Sequence, residues 1–408
     1  MTPVTVRERA RTSKGFNLVL ATLSSVVCFW AWTSIAPLGV RYSVQLDLSS
    51  AQASVLVAMP VFVGSIGRIP VGVLTDRYGG RIMFTLVLLA TVPALLLVAL
   101  AGTVGVYWML VSCALLLGVA GTVFAVGIPF VSNWYELSRR GFATGVFGAG
   151  MGGTALSAFF TPRFVDWFGY IPTHLILALL LIGTAALVWT CMGNAPGWVS
   201  NAQPFIPKLF AAAKLGVTWQ MCFLYGVVFG GFVAFSTYLP TYLRDIYDFD
   251  LTAAGTRTAG FAVAAVLLRP VGGILADRIG PKPVVIVALA AVAVLAWVVN
   301  LRPDGEIPAG LTFVAMASAL GLGAGGVFAW LGRNSPPDTV GSISGIVSAA
   351  GGLGGYFPPL VMGATYNAAD NSYAIGLLLL AGTAAVALVF AIVAVHERRT
   401  QPTANQVD

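Results

Sequence analysis

The sequence predicts an all-α membrane protein: twelve transmembrane helices in two six-helix pseudo-symmetric halves, with both termini cytoplasmic. Three observations predict it. The 408 residues are 58% hydrophobic and 9% charged, where a soluble chain carries about 25% charged residues. The apolar residues fall in long unbroken runs, each near the ~20 residues that a helix needs to cross a ~30 Å hydrocarbon core. One fragment recurs, half a chain later, at a constant offset of 201 residues. This composition excludes a disordered chain, a collagen-like fibre, a disulfide scaffold and a nucleic-acid-binding domain. Cys28, Cys113, Cys191 and Cys222 lie in separate apolar runs without C-x-x-C or Cys/His spacing. No metal site, cofactor or disulfide framework is therefore expected.

The spans follow in order. The first, 16–40, comes after Arg7, Arg9, Arg11 and Lys14. It is too long for a signal-peptide core of about 7–15 residues and reads as an uncleaved helix. Spans two and three, 51–74 and 82–103, flank a basic turn with Arg77 and Arg81. Spans four and five, 105–132 and 141–164, flank Arg139 and Arg140, and span six covers 171–192. The longest connection, 193–214, holds Asn194, Pro196, Asn201, Pro204 and Pro207. Such a Pro/Asn-rich stretch marks a linker. It divides the chain into an N-terminal half, 1–192, and a C-terminal half, 215–408. The second half holds spans at 215–243, 253–275, 282–301, 310–332, 340–366 and 372–395. These runs do not alternate polar with apolar, as barrel strands do.

Lys and Arg set the orientation. With the N-terminus inside, the inner segments hold Arg7, Arg9, Arg11, Lys14, Arg77, Arg81, Arg139, Arg140, Lys208, Lys214, Arg278, Lys282, Arg333, Arg398 and Arg399. The outer segments hold only Arg41, Arg163, Arg244, Arg257 and Arg302. The net charge of +7 is thus mostly topology, and the bilayer is the first partner expected.

The repeat is the most informative feature. Arg68-Ile-Pro-Val-Gly72-Val-Leu-Thr-Asp76-Arg77-Tyr-Gly79-Gly-Arg81 is echoed by Arg269-Pro-Val-Gly-Gly273-Ile-Leu-Ala-Asp277-Arg278-Ile-Gly280-Pro-Lys282. Gly-Thr-Val-Phe124-Ala in span four is echoed by Gly-Gly-Val-Phe328-Ala in span ten. Gly141 and Gly145 are echoed by Gly341 and Gly345. Two parallel halves follow, related by an axis along the membrane normal, with a site between them.

Arg68 lies eight residues before Asp76, roughly 12 Å deeper along a helix rising ~1.5 Å per residue. Arg269 lies equally deep in the other half. An arginine at the bilayer centre costs at least ~2.5–3.5 kcal/mol. All 15 Asp and Glu residues fall in loops, termini or helix ends, so neither arginine has an acid at its depth. The missing negative charge is expected to come from a transported anion. Planar guanidinium pairs bidentately with oxyanions, so a compact planar one fits best. Pro70 and Pro270 are expected to bend each helix beside its arginine. The spans hold no nucleophile–base pair or ligand cluster, so an enzyme is not expected. A cation or drug carrier would want a midplane carboxylate, and none is present.

The doubled Gly-x-x-x-Asp-Arg-x-Gly-x-Arg loop in a six-plus-six chain resembles the major facilitator superfamily over its whole length. That resemblance implies that Asp76 faces the start of span eleven and Asp277 the start of span five. With Arg77, Arg81 and Arg278 they would gate the cytoplasmic side, since an acid is favoured at a helix N-terminus.

Within the superfamily the chain is similar to the nitrate/nitrite porters. The likeness rests on both arginine segments, on Leu224-Tyr225-Gly-Val-Val-Phe229-Gly-Gly-Phe232, and on the Gly-rich runs 145–153 and 345–355. It implies that Arg68 and Arg269 clamp a small inorganic anion, nitrate or nitrite. Tyr225 would donate to it, and Phe124, Phe229 and Phe328 would flank its flat face. Gly150, Met151 and Gly352 would lie beside it. Met151 stands where the family places Asn, so a donor is lost. Another small anion, such as formate or a monocarboxylate, is the alternative cargo. The Gly pairs 141/145, 148/152, 341/345 and 351/355 read first as close helix contacts. The buried arginines favour nitrate/nitrite exchange, while the resemblance also allows proton symport. A monomer in the cytoplasmic membrane is expected.

Overall fold

The structure, a computed structural model, describes residues 13–136, 140–196, 198, 205–303, 305–335, 340–367 and 369–395. Arg7, Arg9, Arg11, Arg139, Arg398 and Arg399, on which part of the orientation rests, lie outside the described residues. The chain is helical almost throughout. The first predicted span is α1 (Lys14–Thr33), a short 3-10 turn (Ala36–Leu38) and α2 (Gly39–Leu46). Span two is α3 (Ser50–Ile66) plus α4 (Arg68–Tyr78), and span three is α5 (Gly80–Val104). Span four is α6 (Tyr107–Leu117), a 3-10 turn (Gly118–Thr122) and α7 (Val123–Trp134). Span five is α8 (Arg140–Gly148), a 3-10 turn (Ala149–Gly152) and α9 (Gly153–Phe168), and span six is α10 (Tyr170–Cys191). After α11 (Phe205–Ala213) the second half is simpler. It runs α12 (Gly216–Tyr247), α13 (Leu251–Ile279), α14 (Pro281–Asn300), α15 (Glu306–Asn334), α16 (Val340–Ala364) and α17 (Ala374–Val393).

Among the described residues, nine helical segments are long and apolar enough to cross a membrane. The pair α3 and α4, bent by 40°, adds a tenth. The other two predicted spans are helical where expected but do not meet the same measure. Span five is broken by its 3-10 turn, and α16 dilutes its apolar residues with Gly, Ser and Pro.

Local chemistry explains the ends. Ser49 and Gln52 form a capping box at the start of α3, and Asp250 accepts from the Ala253 N–H at the start of α13. Both satisfy orphan N–H groups. Asp47 and Asp248, 201 residues apart, close α2 and α12 in the left-handed region, which short polar side chains tolerate. The repeated loop motif gives a turn in both halves. Gly79 and Gly280 have φ of 80° and 96°, which glycine adopts without a Cβ clash. The basic residue two positions later caps another helix. Arg81 donates through Nε and Nη2 to Trp189 O at 3.0 and 2.7 Å. Lys282 donates through Nζ to Ile392 O and Val395 O, both at 2.9 Å. A cation at a helix C-terminus also meets the negative end of its dipole.

The helices pair as a pseudo-two-fold requires. Between the halves, α3 packs on α16 and α9 packs on α13, which matches span two with eleven and span five with eight. Three side-chain bonds cross toward the predicted outer side. Ser54 Oγ donates to Tyr238 Oη (3.3 Å), Arg163 Nη2 to Thr256 Oγ1 (2.7 Å), and Thr252 Oγ1 to Asp166 Oδ2 (3.0 Å).

Two expectations need correction. Span two bends beside its arginine, but α13 runs unbroken through Pro270. At the bend sits Gly67, where a Cβ would meet Thr122 Cγ2 at 2.8 Å. Its counterpart in α13 is Leu268, so only span two has the small residue that lets the kink fit. The Gly pairs also divide. A Cβ at Gly145, Gly148, Gly152 or Gly345 would meet nothing within 4 Å. Gly351 and Gly355 make the close contacts expected of their pair, and others fall on Gly150, Gly153, Gly352 and Gly354. The 3-10 turn at 149–152 shifts the helical register, so the residues that face a neighbour there are not the i, i+4 set.

Candidate functional site

Irregular backbone in the N-terminal half builds the site, and unbroken helices in the C-terminal half complete it. Arg68 opens α4 at the bend. It is 1% exposed. Its Nε donates to Gly121 O at 3.3 Å, and Gly121 lies in the 3-10 turn of span four. A 3-10 turn interrupts the i to i+4 ladder and presents carbonyls to a side chain. Its Nη1 donates to Ser348 O of α16 at 2.6 Å. Its Nη2 is buried and has no hydrogen-bond partner among the described residues. Leaving a charged donor unpaired in a low-dielectric interior is costly.

Arg269 is half-buried. Its Nη2 donates to Tyr225 Oη at 2.9 Å, and its Nη1 to Met151 Sδ at 2.9 Å. Each arginine thus reaches across the interface, Arg68 to α16 and Arg269 to the 3-10 turn of span five. The two share a pair of rings. The Arg68 guanidinium carbon lies 5.4 Å from the Phe124 centroid and 5.7 Å from that of Phe229. For Arg269 both distances are 5.5 Å. No helix separates the two cations. Their partners are carbonyls, a thioether, a phenol and ring faces, and no carboxylate is among them.

The aromatic cluster is ordered by its own contacts. Tyr225 stacks on Phe229, centroids 4.7 Å apart and planes 3° apart, and Phe328 meets Tyr225 edge-on at 4.8 Å. Both arrangements suit ring quadrupoles. Gly352 admits Arg68 to α16, since a Cβ there would stand 3.4 Å from Arg68 Nη1 and closer still to Ser65. Gly351 does the same for Tyr225 and Phe229. Gly150 has a different neighbourhood. A Cβ there would meet Ser25 Cβ at 2.5 Å, so this residue lets span five lie against α1.

The gating residues lie elsewhere. Asp76, Arg77, Asp277 and Arg278 are exposed at the ends of α4 and α13. Asp277 is 3.8 Å from Arg333 of α15, within its own half. Arg81 serves as the cap described above. The expected contacts of Asp76 and Asp277 with the starts of spans eleven and five involve residues 336–339 and 137–139, which lie outside the described residues.

Sequence reasoning missed the acceptors of Arg68. Gly121 O and Ser348 O are backbone atoms, and no side-chain pattern announces them. The one available signal was the pair Gly118 and Gly121 inside an apolar span, a sign of broken helix. Phe147 was also missed. It lies 5.7 Å from Phe124, centroid to centroid, and backs the ring that both arginines share.

The fold and site define a carrier, and the description of the Major Facilitator Superfamily matches residues 21–258 and 221–407. The chain belongs to that superfamily and is a multi-pass protein of the cytoplasmic membrane. It is 58% identical to the "Probable nitrate/nitrite transporter NarK2" of Mycobacterium tuberculosis, over 94% of this chain and 96% of that one. It is 32% identical to the "Nitrite extrusion protein" of Bacillus subtilis, over 92% and 93%. It is 34% identical to the "Probable nitrate/nitrite antiporter NarK1" of Thermus thermophilus, over 86% of each. The fold is shared with a D-xylose–proton symporter (TM-score 0.72, 16% identity, 94% of this chain and 99% of that one). It is also shared with a bacterial homologue of the lysosomal transporter Spinster (TM-score 0.69, 17% identity, 93% and 96%).

Proposed function

We propose that the protein carries nitrate and nitrite across the cytoplasmic membrane by alternating access, exchanging one for the other. One observation carries the reading. The guanidiniums of buried Arg68 and half-buried Arg269 face the same two rings, and Arg68 Nη2 has no hydrogen-bond partner among the described residues. The names of the relatives agree with it.

In this reading the anion bridges Arg68 and Arg269 and takes the free Arg68 Nη2. Tyr225, which accepts from Arg269, uses its own hydrogen to donate to the anion. Phe124 and Phe229 flank the flat face, and Phe328 braces Tyr225. Met151 holds one Arg269 N–H with a weak acceptor that yields readily to an oxyanion. Rocking the halves must release Arg68 from Ser348 and Arg269 from Met151. Closing around two unpaired like charges is costly, and a bound anion offsets that cost. Unloaded return is therefore slow. No carboxylate or histidine contacts either arginine among the described residues, which favours exchange over proton symport. Both arginines come from one chain, so a monomer suffices and no chemical step is required. Asp76, Arg77, Arg81, Asp277 and Arg278 would hold the cytoplasmic turns on which the halves rock.

The test is nitrate entry into proteoliposomes with and without internal nitrite. Internal nitrite is expected to accelerate entry, and excess formate or acetate to leave it unchanged. Rapid entry into nitrite-free vesicles under a pH gradient would defeat exchange. Competition by formate would instead assign the cargo to small carboxylates. A second expectation concerns Tyr225→Phe. It keeps the ring stack and removes a hydroxyl bonded to a cation, a contact worth about 1.5 kcal/mol. The apparent nitrate affinity should fall about tenfold, read as the nitrate concentration needed for thermal stabilisation. An unchanged affinity would remove Tyr225 from the site.

A further inference from the structure

The pseudo-symmetry has one conspicuous breach, and it is a cavity. In the N-terminal half, Trp30 of α1 fills the angle between its helix and α9. Its Nε1 donates to Thr161 Oγ1 at 3.0 Å, and its ring lies 5.8 Å from Phe160 and 5.9 Å from Phe164. The 201-residue offset that relates Arg68 to Arg269 and Asp47 to Asp248 takes Trp30 to Gly231. Beside that place the C-terminal half has a groove of about 480 Å³ between α12, α14, α15, α16 and α17. Gly231 lines it, with Gly226, Gly354 and Gly376. No indole stands there: an added Cβ at Gly231 would meet Leu320 of α15 at 2.9 Å, and the groove lies alongside.

The lining decides what enters. Of its side chains only Cys222 and Thr383 carry a polar atom, and the Thr383 hydroxyl already donates to Leu379 O. Water needs two or more polar partners to stay in a cavity, and an apolar void of ~150 Å³ stays dry and binds benzene. This groove is roughly three times larger. A headgroup, an anion or a peptide would find no partner in it. Phe357 and Leu379, which line it, are 58% and 53% exposed, so apolar side chains at its rim reach the outer surface of a chain that sits in the bilayer.

We propose that the groove is a binding site for one acyl chain of a bilayer phospholipid, held between α12 and α17 against the face of α14. The site is independent of which anion the carrier moves. A chain seated there touches Gly226 and Gly354, where α12 and α16 cross, and so reaches the back of the helix that carries Tyr225.

The experiment uses the full chain in vesicles of phosphatidylcholine bearing a diazirine at the end of one acyl chain. After photolysis, labelled residues are located by mass spectrometry. Val292 and Ala296 line the groove and are 7% and 1% exposed. Val294, on the same helix, is 60% exposed and reports ordinary contact with surrounding lipid. Label is expected on Val292 and Ala296 as well as Val294. Gly231→Trp should lower label on the first two about tenfold or more, because a filled cavity leaves no room for a chain, and leave Val294 unchanged. The nearest atoms to an added Cβ at Gly231 are the tips of Leu320, a flexible neighbour. Gly231→Leu provides the same measurement should the tryptophan variant not fold. Label confined to Val294 in the wild type, or undiminished on Val292 and Ala296 in either variant, overturns the proposal.

Discussion

Arg68→Lys is expected to slow nitrate entry at least about a hundredfold while the protein remains folded in the membrane. The charge is kept, so a purely electrostatic role would survive the change. The geometry is lost. Arg68 directs Nε to Gly121 O and Nη1 to Ser348 O, and in the proposed site Nη2, which has no partner among the described residues, takes the anion. These lie along the fixed fork of one planar group, which an ammonium on a flexible stem does not reproduce. Losing two hydrogen bonds from a cation, each worth about 1.5–3 kcal/mol, corresponds to a hundredfold or more at ~1.4 kcal/mol per decade. The measurement is the initial rate of nitrate entry into nitrite-loaded proteoliposomes, at matched protein content. A variant that keeps a third of the wild-type rate would show that Arg68 is not the fork the proposed site requires.

Gly354→Leu is expected to prevent stable folding. A Cβ at Gly354 would stand 2.8 Å from both C and Cα of Gly226 on α12. The reverse contact is as tight, since a Cβ at Gly230 would stand 2.8 Å from Gly354 Cα. Backbone faces backbone, and no side chain can turn aside. Overpacking of a filled interior costs about 1–3 kcal/mol, and more where backbone must move. Here α12 and α16 would have to part, which also separates Tyr225 from its cradle at Gly351. Gly145→Ala makes the control. Nothing lies within 4 Å of its new methyl, and alanine favours a helix interior over glycine by about 0.5–1 kcal/mol. Thermal unfolding followed by size-exclusion chromatography reads both. Equal stability of the two variants would show that this crossing is looser than it stands.

The contrast between these glycines shows where sequence reading stops. Gly145, Gly148, Gly351 and Gly354 look alike in a run of small residues. Only the packing of α12 on α16, and the 3-10 turn at 149–152, decide which of them touches a neighbour. The arginines behaved differently. Depth, repetition and the absence of acids at their level were all visible in one dimension, and the structure places both on the same two rings. Their acceptors were not visible, because Gly121 O and Ser348 O are carbonyls common to every residue. The bend beside Arg68 falls at Ile66–Gly67, four and three residues before Pro70, where a proline removes a helix bond and crowds a carbonyl; what the sequence did not announce is that close approach to Thr122 also leaves no room for a Cβ at Gly67. At Pro270, by contrast, the helix is not broken.

What the sequence determined alone was the class of molecule: apolar runs of spanning length, a doubled motif, and two cations with nothing acidic near them. These are properties of composition and period, and they survive any arrangement of the helices. What only the tertiary structure decided was which atoms those cations hold, which glycines touch, and that an apolar groove runs past Gly231 in the C-terminal half. Those outcomes depend on distances of a few ångströms between residues far apart in the chain, and no local pattern of residues encodes them.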